Sequence, residues 1–299
     1  NINIYANESS LYGGIIGKIV SAKIMNLGIV DAKIICNSKA SGGIVGNATD
    51  SEIINCYNKG NLTTEIKAPV EGIAGEITNS KIIRCYNEAN ITGNCTTGIV
   101  YAATDSIIEN CYNAGNLNST VPAGGIAFNA SNSEIINCYN NGEIKGSYDS
   151  GGIIATDAKD SKIINCYNLA TISNSVPAGG IIGGWASNSE IIDCYNEGKI
   201  NSSNSTAAGI AQSISNSKIF NCYNTGKIIG GVPAGGIVEY ASDSEIINCY
   251  NNGEISGKYG SGGIVGNSLS NSKIINCYNT GKIADANSSL GGIVGYSIT

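Results

Sequence analysis

The residues of this sequence that could do chemistry are its eleven cysteines, because nine of them recur inside the tripeptide Cys-Tyr-Asn. Thiols at a regular spacing could hold a metal ion, form disulfides or line the interior of a stacked fold. The intervals range from 26 to 29 residues. The nine cysteines are Cys56, Cys85, Cys111, Cys138, Cys166, Cys194, Cys222, Cys249 and Cys277.

A buried column of free thiols is the interpretation that this spacing favours. A metal site needs ligands that converge from several directions, whereas residues at one repeat position lie in a line. Adjacent parallel strands rarely offer the torsion of a disulfide, and an odd number of thiols leaves one over. Cys36 and Cys95 lie off the column in variable segments, so we do not expect them to pair. The sequence therefore predicts no metal site and no cofactor.

The composition argues against most enzymes. The chain contains no histidine, which removes the usual general base near neutral pH and every Cys/His or Ser/His/Asp arrangement. Asp149, Asp157, Lys159 and Asp160 form the densest charged group, but they belong to a single pair of repeats with no evident partner group. We predict a protein without enzymatic activity and without catalytic residues.

Charge and hydropathy exclude two classes of partner. The formal net charge is -6, only 13% of residues are charged, and Arg84 is the single arginine, so no basic surface is available for nucleic acid. Apolar residues occur in short pieces that cannot span a bilayer. The repeat runs through residues 1–299 without a linker and starts and ends in mid-repeat. We therefore expect one repeat domain within a longer protein or assembly.

The repeat unit predicts an all-β fold. In one copy, three short extended pieces at 244–251, 254–255 and 261–265 are separated by Asn-Gly and Gly-Ser turn signals. Units that recur in register can stack as parallel strands about 4.8 Å apart. The prediction is a right- or left-handed parallel β-solenoid with three short strands per coil of about 28 residues and roughly ten to eleven coils. The isoleucine of each Gly-Ile step, from Ile44 to Ile293, is expected to form its core.

Charges alternate in sign at the position before the Ile-Ile pair, except in one unit that is a residue short, at Ser106 and Ile107. This alternation supports stacking independently. Opposite charges on neighbouring coils avoid the repulsion that a column of one sign would cause. We interpret this column as a solvated ladder that controls register. Its members are Glu52, Lys81, Glu134, Lys162, Glu190, Lys218, Glu245 and Lys273.

The tyrosine and asparagine of the tripeptide form two further columns. The tyrosines are either an exposed aromatic stripe or residues that cap the core with their hydroxyls in water. We interpret the asparagines as a turn ladder, with side-chain amides hydrogen-bonded from coil to coil. They are Asn58, Asn87, Asn113, Asn140, Asn168, Asn196, Asn224, Asn251 and Asn279.

The paired isoleucines leave two alternatives open. Ile53 and Ile54 cannot both point inward on one regular strand, so either one aliphatic column is exposed or a corner buries both. An exposed column would suit lateral association of rods or packing against another region of the same polypeptide.

Several segments resemble the GLUG motif of bacterial proteins. The sequence Gly-Gly-Ile-Val-Gly at 42–46 is followed by Asn-Cys-Tyr-Asn at 55–58 and Gly-Asn-Leu at 60–62. The resemblance recurs along nearly the whole chain, although 97–101 and 208–212 depart at the flanking glycines. It implies a large secreted or surface-attached protein of the adhesin-like type.

These observations predict a non-enzymatic extracellular or cell-surface protein that acts as a rigid stalk or adhesin-like domain. The alternative is a subunit of a head-to-tail extracellular filament, because the ends of a solenoid expose unpaired strands. A β-helical polysaccharide-active enzyme or an ice-binding protein is less favoured. The expected partners are a second copy, bound through the solenoid ends or an Ile/Tyr face, and a host or glycan ligand.

Overall fold

The predicted parallel β-solenoid is confirmed. The computed structural model describes residues 3–6, 12–30, 33–36, 40–63, 69–174, 176–285 and 289–296. Within these ranges the chain forms strands and turns and no helix, so no described helix could cross a membrane. All strand pairs are parallel, and each joins equivalent residues of consecutive coils, as in Tyr57 with Tyr86 and Ile82 with Ile108.

The three predicted extended pieces are present, and corners divide two of them. In the copy introduced above, the first piece forms strands Glu245–Ile247 and Tyr250–Asn251, and the third forms Ser261–Gly262 and Val265–Ser270. The middle piece forms Ile255–Gly257. Each coil therefore contributes to five sheets, which we number in chain order from the strand that follows the Gly-Ile step.

Sheets 1 and 2 carry the longest strands and the Ile-Ile pairs, respectively. Sheet 1 consists of Ile16–Val20, Val45–Thr49, Ala74–Thr78, Val100–Thr104, Ala127–Ser131, Asp157–Lys159, Ile182–Ser187, Ala211–Ser215, Val238–Ser242 and Val265–Ser270. Sheet 2 consists of Lys23–Met25, Glu52–Ile54, Lys81–Ile83, Ile107–Glu109, Glu134–Ile136, Lys162–Ile164, Glu190–Ile192, Lys218–Phe220, Glu245–Ile247 and Lys273–Ile275.

Sheet 3 carries the tyrosine and asparagine of the tripeptide, and sheet 4 follows it. Sheet 3 consists of Gly28–Val30, Tyr57–Lys59, Tyr86–Asn87, Tyr112–Asn113, Tyr139–Asn140, Tyr167–Asn168, Tyr195–Asn196, Tyr223–Asn224, Tyr250–Asn251 and Tyr278–Asn279. Sheet 4 consists of Asn61–Thr63, Asn90–Gly93, Leu117–Ser119, Ile144–Gly146, Ile172–Asn174, Ile200–Ser202, Ile228–Gly230, Ile255–Gly257 and Ile283–Asp285.

Sheet 5 precedes the Gly-Ile step, and two short sheets lie near the start of the chain. Sheet 5 consists of Val70–Glu71, Thr96–Thr97, Ala123–Gly124, Ser150–Gly151, Ala178–Gly179, Ala207–Ala208, Ala234–Gly235, Ser261–Gly262 and Leu290–Gly291. The two-stranded sheets pair Asn3–Ala6 with Lys33–Cys36 and Tyr12–Gly13 with Ala40–Ser41. The ten strands of sheets 1 to 3 define about nine turns, close to the predicted number of coils.

One continuous aliphatic core runs along the axis. Ile44 and its equivalents as far as Ile264 have no exposed surface, whereas Ile293 is 37% exposed. The first isoleucine of the Ile-Ile pair, as at Ile163, and the isoleucine of sheet 4, as at Ile172, complete the core in each coil. The core residues of each coil are thus buried by contact with the neighbouring coils, as expected of a repeat fold.

Left-handed corners bound sheet 2 on both sides. The residue before the tripeptide, such as Asn55 with φ of 52°, has positive φ in every described coil. The residue two positions before each sheet 2 strand also has positive φ, and these residues form a second column. Its members are Ser21, Asp50, Asn79, Asp105, Asn132, Asp160, Asn188, Asn216, Asp243 and Asn271. Short polar side chains dominate both columns because they tolerate this backbone region better than other residues.

Candidate functional site

The cysteine column lines the core. Its members from Cys56 to Cys249 have no exposed surface, Cys277 is half-buried, and all nine are free thiols. The Cys166 thiol donates to the carbonyl of Ile164 at 3.3 Å, and its sulfur atom lies one coil from that of Cys194, which accepts the Cys166 backbone N–H at 3.4 Å. Each thiol therefore joins two coils by hydrogen bonds.

A serine column at the other corner makes the same contacts, which explains the cysteines. The Ser161 hydroxyl donates to the carbonyl of Lys159 at 2.7 Å, and the Ser161 backbone N–H donates to the Ser189 hydroxyl at 3.0 Å. Both columns follow a left-handed residue directly, at Asp160 and at Asn165. The cysteine is thus the apolar counterpart of the serine at a corner that faces the core.

Burial also removes the reactivity that the thiol spacing first indicated. Desolvation is the largest cause that raises the pKa of Cys111, Cys138, Cys166 and Cys194 well above its usual range. The thiolate, which is the nucleophile and the metal ligand, is therefore disfavoured at these four positions. Off the column, Cys95 is buried and free, while the side chain of Cys36 lies outside the described residues. Three converging metal ligands occur nowhere in the described ranges.

The asparagine column forms a buried chain of amides. Asn168 donates from Nδ2 to Asn196 Oδ1 at 2.8 Å and to the carbonyl of Ala170 at 2.9 Å, and it accepts from Asn140 Nδ2 at 2.9 Å. The same side-chain contact links each step from Asn87 to Asn279. These residues lie in sheet 3 and not at the left-handed corners, which belong to other columns.

The charge ladder lies on the exposed edge of sheet 2, in register. Lys162 Nζ lies 3.4 Å from Glu190 Oε2, and Lys273 Nζ lies 3.1 Å from Glu245 Oε1. Glu52 is held by Lys23 at 2.8 Å, and that hydrogen bond is the main cause that lowers the pKa of Glu52. Lys81, Glu134 and Lys218 lie in the same column through backbone pairing. Because these side chains are exposed, each ion pair adds little stability.

The tyrosine column faces outward as a stack of rings. From Tyr57 to Tyr278, consecutive ring centroids lie 4.8 to 5.3 Å apart with nearly parallel planes. The interior rings are half-buried, and burial is the main cause that raises the pKa of Tyr223 to about 12. Because each ring face covers the next, the column presents ring edges and hydroxyls to solvent but not ring faces.

The second isoleucine of each pair forms a half-buried stripe beside the tyrosines. Ile54 is 7% exposed, whereas Ile136, Ile164 and Ile192 are intermediate and Ile275 is 39% exposed. The first isoleucine of each pair points into the core, so the second isoleucine forms an aliphatic column that reaches the surface. The left-handed corner that follows it separates this stripe from the outward tyrosines of sheet 3.

The most exposed aromatic side chain of the described residues lies outside the columns of the Cys-Tyr-Asn tripeptide. Trp185 is the single tryptophan of the chain and is 66% exposed on sheet 1. It lines an open groove of about 540 Å³. The polar residues of the groove are Asp157, Lys159, Ser187, Ser213 and Ser215.

The structure divides the charged group that the sequence analysis named between the groove and a corner of the coil. Asp157 and Lys159 line the groove beside Trp185, whereas Asp160 lies in the left-handed column. Burial, followed by the charge of Asp157, raises the pKa of Asp149. Sequence reasoning missed Trp185 because a repeat analysis keeps what recurs, and the signal was an aromatic residue beside the Gly-Gly pair at 183–184.

A buried carboxylic acid occupies a second break in the repeat. Glu239 follows Val238 as Gly46 follows Val45, and it has no exposed surface. Gln212 Nε2 donates to Glu239 Oε2 at 3.3 Å, while Glu239 Oε1 is buried without a hydrogen-bond partner in the structure. Burial is the main cause that raises the pKa of Glu239 to about 8. The folded chain therefore holds this group protonated at neutral pH.

Glu239 makes the stability of the chain depend on pH. The unfolded carboxyl has an ordinary pKa of 4.5 and the folded one about 8, so the folded state binds the extra proton between these values. Stability from this group is full below about pH 4.5 and is lost as pH rises to about 8, by about 1.4 kcal/mol per unit of pKa difference. We expect Glu239→Gln to remove this slope and to exceed the wild type in stability at pH 9 by about 2 kcal/mol or more.

Urea unfolding between pH 4 and pH 9 measures this effect. Glu134→Gln, on the exposed ladder, serves as the control and should follow the wild-type profile. Parallel profiles for the wild type and Glu239→Gln would contradict the assignment of the slope to Glu239.

Comparison with known proteins confirms the motif. The family model described as the GLUG motif matches residues 37–63 and 257–284. The predicted resemblance is therefore correct at two stretches of the chain, one toward each end. No curated protein matches the sequence.

Two solved structures of PfbA, a surface adhesin of Streptococcus pneumoniae, align with the chain at 12% identity. In one, the alignment covers 90% of this chain and 71% of PfbA, with a TM-score of 0.43. In the other, it covers 92% and 76%, with a TM-score of 0.34. The likeness at these scores is distant.

Proposed function

We propose that the chain is a non-enzymatic repeat domain of a secreted or cell-surface protein and acts as a rigid, adhesin-like rod. The observation that carries this proposal is the continuous pairing of ten consecutive strands in each of sheets 1 to 3. Contacts between consecutive coils keep the solenoid rigid along its axis. Such rigidity suits a domain that holds a binding surface away from the point where the protein is anchored.

The side-chain columns support a mechanical role. The amides from Asn87 to Asn279, the thiols and the corner serines each bond one coil to the next, so every turn is held at several points around its circumference. These groups are occupied with one another and with backbone carbonyls. The GLUG motif supports the location, because the resemblance implies secreted or surface-attached proteins.

Labelling of cells tests the location. An antibody raised against the purified chain would be applied to intact and to permeabilised cells of the organism that encodes it. We expect labelling of intact cells or recovery of the protein from the medium. Labelling that requires permeabilisation would count against the proposal.

The half-buried aliphatic stripe favours self-association as the second candidate function. Ile164, Ile192 and Phe220 line up on one side of the rod, and apolar surface of this kind often marks an interface. Sedimentation of the purified chain over a wide concentration range separates the candidates. Oligomers that grow with concentration support self-association, whereas a single sedimenting species supports the isolated rod.

A further inference from the structure

The repeat is modified locally around Trp185. Strand Ile182–Ser187 has six residues, and its register with the next coil shifts between Ile182 and Trp185. Bulges of this kind re-aim a side chain and concentrate next to functional sites. The glycines at 183 and 184 pack against backbone atoms of the preceding coil, where a Cβ would collide. The bulge is therefore built into the sequence.

The neighbours of Trp185 leave the indole accessible. Asp157 and Ser213 occupy the same column on the coils before and after it. These side chains are short, and Trp185 remains two-thirds exposed, in contrast to the tyrosine column, whose ring faces are covered by one another. Trp185 therefore offers a flat apolar surface that the tyrosine column cannot.

The polar lining of the groove is rich in hydrogen-bonding groups and balanced in charge. Asp157 and Lys159 contribute one charge of each sign, and Ser187, Ser213 and Ser215 contribute hydroxyls. Together they accept and donate hydrogen bonds without attracting ions of one sign. The three coils that carry Asp157, Trp185 and Ser213 extend about 10 Å along the axis.

We propose that this groove binds a neutral saccharide, with one pyranose ring against the Trp185 indole and its hydroxyls hydrogen-bonded to Asp157 and the neighbouring serines. A sugar ring has an apolar C–H face and a polar rim, which is the pattern that a single aromatic surface bordered by hydroxyl and carboxylate groups complements. This inference goes beyond the proposed function, which concerns location and rigidity, and each is tested by its own experiment.

Fluorescence of the single tryptophan gives a direct readout. The purified chain would be titrated with a panel of neutral oligosaccharides, and with sulfated and sialylated ones for comparison. We expect a saturable change in Trp185 emission with at least one neutral oligosaccharide. Calorimetry with the same oligosaccharide should show at least tenfold weaker binding to Trp185→Ala and several-fold weaker binding to Asp157→Ala.

Two controls separate loss of binding at the groove from nonspecific effects of the substitutions. Tyr148→Ala removes an aromatic side chain that is 57% exposed outside the groove and should bind as the wild type does. Since Trp185 is exposed, Trp185→Ala should keep the wild-type melting temperature. The proposal is overturned if no neutral oligosaccharide changes the emission, if only charged ones do, or if Trp185→Ala binds as well as the wild type.

Discussion

Replacing Gly152 by alanine should cost at least about 3 kcal/mol of unfolding free energy. A Cβ at Gly152 would lie within 3.0 Å of the Gly180 carbonyl oxygen and of two atoms of Asn168. The oxygen belongs to the backbone of the next coil, and the two Asn168 atoms belong to the buried amide column. None of these atoms can move away without disrupting the pairing of neighbouring coils. Urea unfolding followed by far-UV circular dichroism measures the loss.

Gly292 provides the matched control because it occupies the same repeat position in the last described coil. Nothing lies within 4 Å of a Cβ built there. Gly292→Ala should therefore stay within about 0.5 kcal/mol of the wild type. Equal losses for the two variants would show that glycine is needed at this position for backbone freedom, and not for the approach of the next coil.

The second large effect is expected for Asn168→Asp, which should destabilise the chain by about 3 to 5 kcal/mol near neutral pH. The change is isosteric, but it replaces the Nδ2 donor with an oxygen. That oxygen would face Asn196 Oδ1 and the carbonyl of Ala170, which are both acceptors. The carboxylate would also be fully buried, because Asn168 has no exposed surface.

Asn165→Asp makes the same chemical change three residues away and should be nearly neutral. Asn165 lies in the exposed left-handed column, where an aspartate occurs naturally at Asp193. Chemical unfolding of both variants at pH 7 compares the columns directly. A loss at position 165 as large as that at position 168 would mean that the burial of the amide column does not determine its chemistry.

The parts of the fold that recur could be predicted from the sequence. The period of the Cys-Tyr-Asn tripeptide and the alternation from Lys162 to Glu190 both require neighbouring coils to lie in register, and the structure has that register. The isoleucines of the Gly-Ile steps could be predicted to form the core because they too recur at one repeat position. The split of the strand at 244–251 was harder to see, because the left-handed residue Asn248 is one polar residue among many.

The second left-handed column has a weak signal in the sequence. An Asn or Asp before a serine recurs in the coils from Asp50 to Asn271, as at 160–161 and 188–189, but it resembles any polar turn. Its equivalence to the residue before each cysteine appears only when the hydrogen bonds of Ser161 and Cys166 are compared. The comparison shows that the cysteine, which the spacing made a candidate metal ligand, is a structural residue at a corner of the coil.

The candidate site was less predictable than the fold for a physical reason. Stacking is a property of repeated positions, whereas the candidate groove depends on Trp185, a single departure from the repeat. The exposure of Trp185 results from short neighbours in adjacent coils, Asp157 and Ser213, which are distant in sequence and become neighbours only through the register.

Mapping of thiol reactivity by mass spectrometry tests the central claim, that the repeated columns build the interior of the rod. The native chain would be alkylated, digested and compared with chain alkylated after unfolding. We predict that the eight column cysteines from Cys56 to Cys249 stay unmodified until the chain unfolds, because they have no exposed surface, while half-buried Cys277 reacts in part. Rapid modification of interior members such as Cys138 or Cys166 in the native chain, or disulfides between neighbouring members, would contradict this account.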